Sequence, residues 1–277
     1  MLNHIQDISN LKLSILSLFL FLYKHADNFF EENKNKFLPK DDDINPNKKF
    51  IDNLFFKFFI SDKSLISKLE KYNLFWNNND HDIIRKIFKD IVQHDLYSDY
   101  LKCNDINYNA DIKFFNNILN DVILNNQVLH HILEEKSIYW IDDLPFVATI
   151  IMGELKEKKI KTSRTVFKNS SDKDFAVDLF RKTIKFDKQF EEIIIVKAKN
   201  WDLDRIAIMD QIMIKMAFTE ILNMPELPVK VSLNEYIEIS KYYSTNKSKM
   251  FINGLIDSAV KDFTNQNKIH KTGRGLM

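Results

Sequence analysis

Asp202-Leu-Asp-Arg-Ile-Ala-Ile-Met-Asp-Gln-Ile-Met-Ile-Lys-Met-Ala-Phe-Thr-Glu-Ile-Leu222 is the stretch on which the fold turns. Ile206, Met209, Met213, Met216 and Ala217 recur at helical spacing, and Ile208 and Ile212 widen the apolar stripe. A helix apolar over so much of its circumference needs neighbours on several sides, so it is expected at the centre of a helical bundle. Its methionines read as flexible gap-fillers. Asp210 falls on or beside the stripe, and a buried carboxylate needs a partner. Two roles are open to it: an internal cap or ion pair, or a contact to another protein.

Downstream, Pro228 stops the preceding turn, and Ser232-x-x-Glu235 has the spacing of a capping box. The helix that follows places Leu233, Tyr236, Ile237, Ser240 and Tyr243 inward. Lys241-Tyr-Tyr-Ser-Thr-Asn-Lys-Ser-Lys249 then opens the last helix, with Ser244 or Thr245 able to cap it. A helix amino terminus flanked by Lys241, Lys247 and Lys249 is suited to phosphate. Tyr242, Tyr243 and Phe251 stand near enough to stack an unpaired base. The plain alternative is a solvated cap with ordinary surface lysines. Gly254, inside the last helix, suggests close helix–helix approach.

Upstream the same 3.6-residue period runs almost throughout. Leu11, Ile15, Leu18, Leu22 and Phe29 mark a first helix reaching about Phe37. Pro39, three aspartates and Asn45-Pro46-Asn47 form a loop after it. Helices are expected at about 48–60, 62–71, 80–91, 93–102, 110–123, 125–136, 142–157, 172–185 and 187–198. Ile193-Ile-Ile-Val196 is the one β-like run, and its neighbours are helical. The apolar run Leu11–Tyr23 is short for a membrane span and lacks a good cleavage site after it, so it reads as a buried helix. Trp76, Trp140 and Trp201 each follow a Lys-containing stretch and precede Asp or Asn. That pattern fits either a duplicated helical unit or a recurrent corner in which Trp packs and Asp or Asn caps. The polar stretch from about 160 to 171 is the expected boundary. It separates a helical extension, 1–160, from a second helical domain, 172–264, with a polar tail at 265–277.

Composition narrows the function. The 40 basic and 39 acidic side chains nearly cancel, so any nucleic-acid footprint must be local. Four glycines cannot supply a dinucleotide fingerprint or a P-loop, and the lone Cys103 cannot build a disulfide or a cysteine zinc cluster. A reduced, cytoplasmic setting follows. His81, His94, His130 and His131 lack the spacing of a metal site, and no nucleophile elbow occurs. The expectation is an all-α chain that is not an enzyme and uses no cofactor.

Three strings carry a family resemblance: Met216-Ala-Phe-Thr-Glu-Ile-Leu222, Pro228-Val-Lys-Val-Ser-Leu-Asn-Glu235 and Phe251-Ile-Asn-Gly254. Their order and spacing, over about seventy residues, resemble the carboxy-terminal half of NusB proteins. The upstream helices and the Lys271-Thr-Gly-Arg-Gly275 tail are similar to the longer form of that family. The resemblance implies an antitermination factor that binds boxA-type RNA of the nascent ribosomal RNA leader. It would do so with the ribosomal protein NusE, within an RNA polymerase antitermination complex. It implies RNA contacts at Lys241, Ser244, Lys247, Lys249 and Phe251, and NusE contacts at Asp210 and Lys215. The family's arginine-rich opening helix has no counterpart, since no arginine precedes Arg85. That departure keeps a second reading open: a helical scaffold that binds NusE with little RNA affinity of its own. A fragment of an RNA methyltransferase with a NusB-like domain is a third, remote for want of a glycine-rich cofactor loop.

Overall fold

The computed structural model describes residues 2–71, 81–104, 107–162, 166–167, 169–198 and 206–272; the side chains of His81, Asn246 and Lys247 are not described. It is all-α, with no strand among the described residues. The chain divides into two compact units, Met1–Val166 and Phe167–Met277.

The N-terminal unit is built on α1 (Leu2–Lys34), against which α5 (Lys63–Lys71), α6 (His81–Gln93) and α10 (Trp140–Lys156) pack. α1 is long and apolar enough to cross a membrane by length and composition alone. In this unit, however, Leu11, Ile15, Leu16, Leu18, Phe19 and Leu22 are buried in the core. Ser14 and Ser17 are tolerated there because their hydroxyls donate back to the carbonyls of Asn10 (2.8 Å) and Ser14 (2.9 Å).

The segment expected as one helix at 48–60 is two, α3 (Lys49–Asp52) and α4 (Leu54–Ser61), after a short α2 (Asp41–Ile44). Asn53 breaks it: its backbone is extended and its side chain accepts the Phe56 N–H, capping α4. This turns Phe55, Phe56 and Phe59 into the core, where Phe55 meets Phe115 of α8 (Tyr108–Ile118) with centroids 4.1 Å apart. Asp111, buried on α8, accepts the Leu54 N–H at 2.8 Å and the hydroxyl of Tyr100 on α7 (Asp95–Lys102) at 2.7 Å. α8 runs into a π turn, Leu119–Ile123, and α9 (Gln127–Lys136) leads to α10. Trp140 is buried at the start of α10, as a corner-packing residue. Trp76 and Trp201 lie outside the described residues, so duplication and recurrent corner both stay open.

The second unit holds α11 (Ser170–Lys185), α12 (Asp187–Lys197), α13 (Ile208–Asn223), α14 (Val229–Tyr243) and α15 (Asn246–Asn265). The β-like Ile193–Val196 run is helical within α12. α13 is central, packing on all four others. Its buried face differs from the expected stripe. Met213, Ile214, Ala217, Phe218 and Ile221 are buried, whereas Ile208, Met209 and Ile212 are exposed. The described helix starts at Ile208, and those three share one side of its first turns while the buried Asp210 lies on the other. Against α13 pack Tyr236 of α14 and Ile252, Leu255, Ile256, Ala259 and Phe263 of α15.

Candidate nucleic-acid interface

The last two helices meet at a joint of two residues. Ser244 ends α14, its N–H donating to the Ser240 carbonyl at 3.1 Å. Thr245 begins α15 as the N-cap, accepting the Ser248 N–H at 3.2 Å. Thr245 therefore settles the choice of cap, and Ser244 does something else. Its hydroxyl donates to the carboxylate of Asp210, which is buried at the start of α13. The bond ties the joint to the central helix and fixes where the first turn of α15 points. The N–H groups of that turn form the positive end of α15.

Around this end the expected residues are spread unevenly. Lys241 is exposed and paired with Glu238, three residues earlier on α14. Such a surface pair is weakly held and open to exchange. Lys249 is half-buried on the second turn of α15. Phe251 is partly buried and packs against the core of the unit, which makes it a support for the surface. The side chain of Lys247 lies outside the described residues. Met250 is 74% exposed on the same helix.

Asp210 and Lys215 do not share a site. Lys215 is buried, and its Nζ lies 2.6 Å from Asp187 and 3.6 Å from Glu191, both on α12. Five residues of helix turn the two side chains to different neighbours. Both are bonds made within the unit. Asn234 and Glu235 are exposed on α14. The capping box expected at Ser232 is absent. α14 begins at Val229 after Pro228, so Ser232 sits inside the helix, fully buried. The expected close approach at Gly254 is also absent: a Cβ there would meet nothing within 4 Å.

Toward the carboxyl end of α13 lies a polar network that periodicity does not reveal. Glu220 of α13 is buried and accepts the Tyr236 hydroxyl at 2.8 Å. Burial pushes its carboxyl above the ordinary range, against the opposing pull of Ser232, Tyr236 and Lys271. Burial, followed by the nearby Glu220 charge, likewise raises the Tyr236 hydroxyl. The supposed polar tail supplies the cation. Lys271 donates to the carbonyls of Glu220 and Met224, each at 2.8 Å, and Thr272 N–H reaches Pro225. With Lys182 of α11 on the Asn223 carbonyl (3.0 Å), two lysines cover the carboxyl end of α13. Burial lowers the Lys271 ammonium despite Glu220. Lys197 similarly holds α12 to α15 through Ser258 and Asp262.

The fold defines an all-helical protein, with no strand among the described residues. Residues 146–261 match the family model described as NusB family, a match that begins within α10. The transcription antitermination protein NusB of Salinibacter ruber is 48% identical over 107 residues, 39% of this chain and 67% of that protein. That of Chloroherpeton thalassium is 39% identical over 105 residues, 38% of this chain and 50% of that protein. That of Methylacidiphilum infernorum is 37% identical over 94 residues, 34% of this chain and 66% of that protein. No solved structure matches. The chain belongs to the NusB family of transcription antitermination proteins, which are not enzymes.

Proposed function

We propose that this chain is an antitermination factor that holds the boxA region of a nascent ribosomal RNA leader in the cytoplasm. It acts together with the ribosomal protein NusE and inside the RNA polymerase antitermination complex. The observation that carries the reading is the Thr245-capped start of α15, with Lys241 and Lys249 beside it and Ser244 locked to Asp210. Backbone N–H groups and lysines take phosphates there, and Lys247 is assigned the same role. Asp210 and Lys215 support the surface from inside. The NusE contact expected of them passes to the exposed Ile208, Met209 and Ile212 on the other side of the same turns of α13.

The test is RNA binding with NusE present, at two salt concentrations. Lys241→Ala/Lys249→Ala should weaken binding about equally across RNA sequences and reduce the salt slope by ~0.7 for each phosphate that is no longer neutralised. Unchanged affinity and slope would refute RNA contact at this joint. The scaffold reading, binding NusE with little RNA affinity, would then take its place. One observation favours that reading: α1 is an apolar core helix of its unit rather than an arginine-bearing surface.

A further inference from the structure

On the N-terminal unit, α8 with its π turn and α10 leave a groove of about 690 Å³ between them. One wall carries Lys113, Asn116 and Asn120, and the other carries Thr149, Gly153 and Lys156. Ile112 and Met152 are buried along its floor. No carboxylate and no aromatic ring lines it, in a chain with 39 acidic residues and 13% aromatic content. The acid of α10 nearest the groove, Glu154, is spent on Lys12, 2.6 Å away. Beyond Lys156 the exposed Glu157, Lys158 and Lys159 follow at the end of α10, outside the lining of the groove. Asn120 donates to Asn116 at 3.3 Å, so the amides form a short ladder along the wall. Asn120 stands on the π turn, a helix irregularity that recurs at functional sites. Gly153 weakens α10 relative to alanine, yet no neighbour requires it, since a Cβ there would meet nothing within 4 Å. Its open flank lets another backbone lie close to the helix.

We infer that this groove is a track for the phosphate–sugar backbone of an RNA strand, a second contact beyond the α14–α15 joint. Lysine, asparagine and threonine are the side chains that hold phosphate and sugar, and a lining free of carboxylates does not repel a polyanion. Without an aromatic ring there is no platform for bases, so the contact is indifferent to sequence. The inference rests on the RNA-binding reading above.

The full chain with NusE is titrated with a boxA-type RNA of about 12 nucleotides, and with the same RNA lengthened by about 12 nucleotides of arbitrary sequence at either end. The wild type should bind one of the longer RNAs several-fold more tightly, whatever the added sequence, with a steeper salt slope. Lys113→Glu/Lys156→Glu should abolish that gain and leave the short RNA bound as before. Lys113→Gln/Lys156→Gln should remove most of the gain and about 1.4 of slope, two single-strand phosphates at ~0.7 each. Helical content measured alongside shows whether either variant is misfolded. If added length brings no gain, or both folded variants keep the gain, the inference is overturned. If instead a polyglutamate peptide binds in a Lys113- and Lys156-dependent way while added RNA brings nothing, the groove serves an acidic protein and the RNA assignment falls. Failure of the short RNA to bind the wild type would strike the α14–α15 reading, a separate result.

Discussion

The two units solve the same packing problem with different materials. In the N-terminal unit, rings fill the space between helices: Phe115 alone meets Phe19, Phe50, Phe55, Phe56 and Phe114. Its one buried Asp, Glu, Lys or Arg side chain among the described residues is Asp111, consumed in capping α4 and holding Tyr100. The second unit has a smaller core and buries Asp210, Lys215 and Glu220, each bonded outside α13: Asp210 to Ser244 at the end of α14, Lys215 to α12, and Glu220 to Tyr236 within α14. Apolar contact is non-directional and tolerates small shifts, whereas a buried hydrogen bond fixes angle and register. On the function proposed above, the difference has a use: a joint that is to offer backbone N–H groups to a phosphate must point one way, and directional bonds set that angle.

The largest effect should come from the aromatic core. Phe115→Ala removes a ring that is 1% exposed and should cost about 3–5 kcal/mol, since so many rings cannot all collapse into the void. Amide hydrogen exchange checks where the loss is felt. Protection should fall through α1, α4 and α8 and persist in α13 and α15. Equal loss in both units would break the comparison, because the two regions would then unfold as one.

Asp210→Ala comes next. It strands the Ser244 hydroxyl at a half-buried position, and should lower stability by about 1–3 kcal/mol. RNA affinity should fall with it, because the first turn of α15 loses its anchor. Chemical denaturation and RNA titration of the same variant separate the two losses. Full stability with impaired NusE binding would return Asp210 to the surface role that the family resemblance implies.

That residue also shows how far the sequence can be read. Periodicity places α13 at the centre and puts Asp210 on or beside its buried side, because one helix obeys one repeat. It cannot say where neighbouring helices stop covering α13, so it assigns Ile208, Met209 and Ile212 to the buried stripe although all three are exposed. Cap chemistry marks the α14–α15 joint to within one residue, leaving Ser244 and Thr245 as equals. Only the fold shows that Asp210 claims the first and leaves the second to cap. The Ser232–Glu235 spacing misleads because Pro228 has already started the helix. Lys271 is invisible as a structural residue: a tail without periodicity gives no sign that an ammonium returns to the end of α13, a bond spanning 51 positions.

Glu220 should produce a smaller, pH-dependent effect. Burial raises its carboxyl above the ordinary value of 4.5, so the folded chain holds the proton to a higher pH than the unfolded chain does. Between these two values the folded state binds more protons. This group's share of stability must therefore fall as pH rises through the raised value and return as pH drops. Glu220→Gln keeps an acceptor for Tyr236 and cannot ionise. It should flatten the curve of denaturation midpoint against pH across the acid range and leave the fold intact. Lys271 contributes with the opposite sign at alkaline pH, since burial lowers its ammonium, so the two windows can be measured apart. A wild-type curve no steeper than that of the variant would mean that Glu220 carries no such cost.

The smallest effect is the one that bears most directly on the surface. Gly254 lies exposed inside α15, where an added Cβ would meet nothing within 4 Å. Glycine in an exposed helix interior costs roughly 0.5–1 kcal/mol relative to alanine, so Gly254→Ala should raise stability by that amount. Nothing inside the unit explains why so weak a helix former stands there. Met250 and Asn253 are exposed one turn or less away, on the helix whose first turn is proposed to hold phosphate. If the RNA backbone passes over this face, Gly254→Ala should bind RNA more weakly while folding more stably, two shifts of opposite sign in one variant. Thermal denaturation and RNA titration with NusE present read them independently. Gained stability with unaltered affinity would confine the RNA to the Thr245 end of α15 and leave the glycine without a role in binding.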